Sequence, residues 1–123
     1  MADPLELTAP LKVYGGDTWA PPPWQRGYLT DPEDAATFVP YDYSTWTEWR
    51  AQWRPDAESS TVIELTVHHD DAATGTFGVS ATPEQTREMG DSGVFDVQVS
   101  NGPDDVVTLL LGATSYKGDV TRD

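Results

Sequence analysis

Apolar and polar positions alternate in short runs along most of this chain, and turn-forming residues separate the runs. Leu11-Lys12-Val13-Tyr14 alternates and predicts a short strand, closed by a turn at Gly15-Gly16-Asp17. Trp49, Ala51 and Trp53 point one way, and Arg50, Gln52 and Arg54 the other, until Pro55-Asp56 ends the run. That is the pattern of a half-buried strand. Ile63, Leu65 and Val67 form the next apolar face, opposite Glu64, Thr66 and His68. After a loop at residues 70–75, Phe77 and Val79 begin another short strand. Phe95, Val97 and Val99 alternate with Asp96, Gln98 and Ser100, and Asn101-Gly102-Pro103-Asp104 turns the chain. Segments 95–100 and 105–111 are therefore expected to form a hairpin. Val106 to Leu111 carries apolar residues on both faces, which predicts a strand covered on both sides. Gly112 to Val120 reads as a last strand. One helix start stands out: Thr82 as N-cap, Pro83 in the first helical position and Gln85 completing a capping box, with Gly90 as the stop. The pattern predicts an all-β chain, an antiparallel β-sandwich of about seven strands, with one short helix near residues 83–89.

The remaining segments resist a strand reading. Pro21-Pro22-Pro23, between Trp19 and Trp24, removes three backbone donors and excludes a central strand. Tyr28 to Pro40 reads as a loop rich in Asp, Glu and Pro. Residues 1–10 hold two prolines and two acids without periodicity, and are expected to form an extended arm against a partner. Residues 11–123 then make a single sandwich domain.

Composition narrows the chemistry. There are 21 Asp and Glu against 7 Lys and Arg, a net charge of −14. A surface of that sign repels phosphates, so neither nucleic acid nor an anionic bilayer is an expected partner, and free copies are expected to stay monomeric. Five Trp, five Tyr and three Phe supply the apolar area that disordered acidic chains lack. The absence of cysteine excludes disulfides, thiolate metal sites and a cysteine nucleophile. No apolar run approaches a membrane span. Met1-Ala2-Asp3-Pro4 lacks the basic start and apolar stretch of a secretory signal, so no leader is expected there.

His68-His69-Asp70-Asp71 is the one metal-like cluster, but neighbouring residues of a strand face opposite ways, so the two imidazoles are not expected to share an ion. Asp70, Asp71, Asp104 and Asp105 match no calcium-loop pattern. There is no G-x-S-x-G elbow, no phosphate-cradling loop and no recognised nucleophile–base set. The chain is accordingly read as a non-enzyme, with no catalytic, cofactor or metal residues. Trp49 and Trp53 are expected in the core. Trp19, Pro22, Trp24, Tyr28 and Tyr43 are the interface candidates, because aromatic side chains stiffened by prolines suit a protein interface.

An ordered series of short motifs carries a resemblance. It runs Gly16-Asp17-Thr18-Trp19, Tyr41-Asp42-Tyr43-Ser44, Trp49-Arg50-Ala51-Gln52-Trp53-Arg54, Gly75-Thr76-Phe77, Thr82-Pro83-Glu84-Gln85-Thr86, Gly93-Val94-Phe95-Asp96-Val97, Leu111-Gly112 and Asp119-Val120-Thr121-Arg122. Over about residues 11–122 the chain resembles the immunoglobulin-like N-terminal module of phage baseplate upper proteins, and small stand-alone virion proteins of actinobacterial phages. The Pro21–Pro23 insert stands where that pattern has a regular strand. The resemblance implies an immunoglobulin-like fold and a bacteriophage structural protein on the outer surface of the virion. Its partners would be the major capsid protein or tail and baseplate proteins, as capsid decoration or as a tail or baseplate accessory. Docking would use the aromatic and proline patch and the N-terminal arm. The alternative is a carbohydrate-binding module for host-surface glycans, with Trp24, Tyr28 or Tyr43 on an exposed flat face.

Overall fold

A computed structural model describes residues 4–89 and 92–117. It is all-β with one short helix. The strands are β1 (Leu5–Glu6), β2 (Leu11–Tyr14), β3 (Trp24–Gln25), β4 (Gly27–Leu29), β5 (Phe38–Pro40), β6 (Glu48–Arg54), β7 (Ile63–His68), β8 (Thr76–Ser80), β9 (Ser92–Ser100) and β10 (Val106–Lys117). Helix α1 is Pro83–Glu88. The main sheet runs β10-β9-β6-β7-β8-β3 with antiparallel pairing throughout, and β1 and β2 lie parallel along the far edge of β10. The sheet curls on itself. Trp24 on β3 reaches Phe95 on β9, with ring centroids 6.2 Å apart, although three strands, β6, β7 and β8, separate β3 from β9 along the sheet. The result is a sandwich-like shape with one shared core, the architecture the alternation predicts.

That core is built as the sequence pattern requires. Ala51 and Trp53 of β6, Ile63 and Leu65 of β7, Phe77 and Val79 of β8, and Phe95, Val97 and Val99 of β9 are all buried. Trp53 is the largest fully buried side chain. Its Nε1–H donates to Thr114 Oγ1 at 2.8 Å, so the indole's one polar group is satisfied across two strands. The 95–100 and 105–111 segments pair as a hairpin, as expected.

The end of the chain differs from expectation. No turn separates 106–111 from the segment after Gly112; β10 is one strand of 12 residues. Gly112 sits opposite Phe95, whose ring occupies the space a Cβ would need, so this glycine makes room for an aromatic side chain rather than a turn. The irregularity falls instead between Thr108 and Leu110, where β10 carries an extra residue. This bulge places Leu109 and Leu110, adjacent in sequence, both in buried positions. The Leu109 carbonyl accepts from Arg26 Nη1 at 3.1 Å, which ties the β3–β4 junction to the opposite side of the sandwich.

The residues expected as an arm against a partner are extended, but Leu5–Glu6 pair with β10 of the same chain. Leu7 N–H continues the contact to the Leu111 carbonyl at 3.0 Å, and Leu5, Leu7 and Leu11 pack against the core. Burial of these leucines holds residues 4–10 on their own sandwich; residues 1–3 lie outside the described chain.

The helix forms as read. Thr82 and Gln85 make the reciprocal capping box, and Pro83 occupies the first turn. Met89 caps its end, and Gly90, the expected stop, lies outside the described residues. Thr86 is fully buried and joins two of the motifs above. Its Oγ1 accepts from Gly16 N–H at 3.1 Å and donates toward the Asp17 carbonyl at 2.8 Å. Gly16, at φ 89°, supplies the left-handed step that this turn needs. The Gly-Asp-Thr turn and the helix are therefore one structural lock. The last motif, Asp119-Val120-Thr121-Arg122, lies outside the described residues.

Candidate docking surface

The five interface candidates separate into two groups. Trp19 is 6% exposed and Tyr43 is 1% exposed, so both belong to the core and neither can touch a partner. Trp19 is held by paired backbone bonds to Ala81, at 3.1 and 2.8 Å, which draw its ring edge-on against Phe95 at 5.4 Å. Tyr43 packs between Tyr41, Trp49 and Phe77. In both cases neighbouring turn residues suggested the surface, and long-range pairing carries the ring inward instead. Trp24 is half-buried, tilted against Phe77 and Phe95. Pro22 is exposed, and Tyr28 is 49% exposed. Of the flat faces suggested for sugar stacking, Tyr28 is the one that stands largely in solvent.

Tyr28 belongs to an element that the sequence reading missed. Residues 28–40, expected as a loop, form a hairpin in which Gly27, Tyr28 and Leu29 pair with Pro40, Val39 and Phe38. This two-stranded sheet is separate from the main one. An isolated hairpin is marginal in water, so its supports matter. Arg26 N–H donates to the Gly75 carbonyl at 2.9 Å, and Tyr41 N–H donates to the Arg26 carbonyl at 3.0 Å. Aromatic contacts then run inward from Tyr28 to Tyr41 at 5.8 Å and from Tyr41 to Tyr43 at 5.9 Å. The connecting loop is stiffened by its own side chains. Asp31 Oδ1 accepts from Glu33 N–H at 3.1 Å, and Asp34 Oδ1 accepts from Ala36 N–H at 2.9 Å. Thr37 Oγ1 accepts from Asp31 N–H at 3.0 Å. The Asp and Thr residues that suggested an irregular loop are the ones that order it. The missed signal was Leu29 and Phe38-Val39 flanking them.

On this hairpin Leu29 is 38% exposed and Phe38 39% exposed, beside Tyr28. Three of the exposed large apolar side chains thus sit on two strands of three residues each. At the hairpin's foot Asp42 caps its own turn. The Ser44 hydroxyl and then the Ser44 N–H donate to its carboxylate, which holds its pKa below the ordinary aspartate value.

Other polar features look inward or are internally paired. His68 Nε2 meets Ser80 Oγ at 2.8 Å, while His69 stacks flat on Trp49 at 5.1 Å, so the two rings part company. Among the described residues no group of three or more His, Asp or Glu side chains is arranged to hold a metal ion, and no helix is long and apolar enough to cross a membrane. A groove of about 820 Å³ on the outer face of the sheet is lined by Glu48, Arg50, Glu64, Gln98 and Ser100. Arg50 Nε pairs with Glu64 Oε1 at 3.2 Å, and Ser100 Oγ donates to Glu48 Oε2 at 3.2 Å.

Two buried groups lead to predictions. The Tyr43 hydroxyl is buried without a hydrogen-bond partner among the described residues, and burial pushes its pKa up despite the charge of Arg26. An unsatisfied hydroxyl opposes folding. Tyr43→Phe is therefore expected to hold or raise stability, by up to about 1 kcal/mol. Urea denaturation checks this, and a clear loss would show that the hydroxyl has a partner.

Asp96 is half-buried beside a pocket of about 330 Å³ that Val94, Ala57 and Leu111 also line. Burial raises its pKa above 3.8, and the neighbouring Arg54 only partly offsets this. The unfolded chain releases this proton first, so the contribution of Asp96 is favourable below the ordinary value and is lost as pH rises through its raised folded value. Asp96→Asn is expected to raise the melting temperature at pH 7 relative to the native chain, with the difference shrinking towards pH 3. Paired thermal melts across that range test it; a difference that grows on acidification would contradict the sign.

No protein-family model matches the chain, and no curated protein is similar enough to match it.

Proposed function

We propose that this chain is a non-enzymatic structural protein on the outside of a bacteriophage particle, attached by surface complementarity. The observation that carries the reading is the β4–β5 hairpin. It gathers exposed apolar side chains on an element outside the core sheet, and its loop is ordered before any partner arrives. Pre-organisation of this kind lowers the entropic cost of docking. Pro22 lies at the start of the same chain segment and is exposed. The motif series from Gly16 to Gly112 supports the virion assignment, and a net charge of −14 keeps free copies apart as monomers. The accessible docking candidates are accordingly Pro22 and Tyr28, with Leu29 and Phe38 on the other face of the hairpin, while Trp24 is half-buried.

Quantitative mass spectrometry of purified particles of the phage encoding the chain tests this. The chain is expected as a particle component. A ratio near one per capsid subunit, or per few subunits, identifies capsid decoration; a ratio far below that identifies a tail or baseplate part. Absence from the particles overturns the virion reading. Sugar titration of the free chain, followed by tryptophan fluorescence, then tests the carbohydrate-binding alternative.

A further inference from the structure

The two faces of the hairpin are unequal. Tyr28 and Val39 share one face, where Tyr28 leans on Tyr41. Gly27, Leu29, Phe38 and Pro40 share the other, by the alternation of strand side chains. Leu29 and Phe38 are directly opposite each other there, and both stand more than a third exposed. The Phe38 ring lies over Gly27, within 2.6 Å of where a Cβ would sit. Leu29 and Phe38 make a small, partly exposed apolar plate.

The surroundings of that plate are acidic. Asp31, Glu33 and Asp34 of the connecting loop are exposed, and Asp42 at the foot is held ionised by Ser44. No Lys or Arg occurs between Arg26 and Arg50. Arg26 itself is half-buried and committed to the Leu109 carbonyl. The carboxylates around the plate are thus uncompensated along their own segment.

We infer that the Leu29–Phe38 plate seats in an apolar recess rimmed by Lys or Arg on another protein of the particle. The inference rests on the attachment reading above and adds the face and the partner's chemistry. Opposite charge at the rim steers encounter, whereas like charge across an interface is costly. A second copy of this chain would bring acid against acid at −14 each, and an anionic bilayer would do the same. Apolar anchors at the centre and charges at the rim are the usual division of labour in an interface.

The test uses phage carrying altered copies of the gene. Leu29→Ser with Phe38→Ser is expected to lower the copies per particle by roughly tenfold or more. Val62→Ser with Val106→Ser, which alters exposed apolar residues elsewhere, is expected to leave the copy number unchanged. Melting temperatures within about 4 °C of the native chain would show that the serine variants fold. Asp31→Asn, Glu33→Gln and Asp34→Asn together are expected to speed release from particles and flatten its dependence on NaCl. Native chain present in particles and L29S/F38S present equally would overturn the inference while leaving the attachment reading standing. So would an unchanged salt dependence in the charge variant, or a solution dimer by analytical ultracentrifugation that L29S/F38S abolishes. Absence of the native chain from particles would instead remove the attachment reading itself.

Discussion

Gly93→Ala is expected to destabilise the chain by about 3 kcal/mol, a large share of the roughly 5–15 kcal/mol that holds a domain together. A Cβ built on Gly93 would fall within the indole of Trp53, against Cε2, Cζ2 and Nε1. That ring cannot move aside cheaply. It is 1% exposed, it is packed in the core, and its Nε1–H is bonded to Thr114 Oγ1. Gly93 pairs with Thr114 across β9 and β10, so the indole of β6 spans the glycine to reach its acceptor. The glycine is there for close approach, not for a turn. A double-mutant cycle isolates the claim. Trp53→Leu removes the atoms that collide and is expected to cost about 3–5 kcal/mol by itself, through lost burial and an orphaned Thr114 hydroxyl. In the double variant the alanine meets no indole, so the two costs should fall short of additivity by about 1–3 kcal/mol. Denaturant melts of the four proteins measure this. Strict additivity would mean that Gly93 and Trp53 act independently, against the geometry.

The same pair shows what can be read from the sequence. The alternation of Trp49, Ala51 and Trp53 places Ala51 and Trp53 inside because period-two burial is a local property of a strand. Trp49, near the strand's start, is half-buried: it packs on Tyr43 and Phe77 of the core, and His69 stacks on it. The helix is legible from Thr82, Pro83 and Gln85 because capping is also local. What local pattern does not encode is which chain segment crosses which. Gly112 reads as a break, yet Phe95 fills its place. Residues 1–10 read as an arm for a partner, yet Leu5 and Leu7 find the edge of β10. Trp19 and Tyr43 read as surface because prolines and polar residues flank them, yet distant strands bury both. Trp24 and Tyr28 both read as interface residues; Tyr28 stands exposed, whereas Phe77 and Phe95 half-bury Trp24. The hairpin that presents Tyr28 was not, because its strands are only three residues long and its loop resembles an unstructured acidic stretch until the Asp and Thr caps close.

Gly27→Ala separates that hairpin from the fold beneath it. A Cβ at Gly27 would meet the Val39 carbonyl oxygen, with Phe38 Cζ at 2.6 Å and Pro40 Cα at 2.7 Å. Two of these three atoms are backbone of the paired strand, so relief requires β4 and β5 to separate rather than a side chain to turn. The hairpin shares no strand with the main sheet, and its supports at Arg26, Gly75 and Tyr41 lie at its foot. The expected global cost is therefore modest, about 1–2 kcal/mol, while the hairpin itself opens. Hydrogen exchange read by mass spectrometry should show faster exchange over residues 27–40 and unchanged protection over 93–100. Copy number in particles should fall as it does for L29S/F38S, because the plate needs Leu29 and Phe38 held opposite each other. Equal loss of protection in both regions would make the hairpin an integral part of the folding unit. Opened hairpin amides with undiminished incorporation would show that attachment does not use this element.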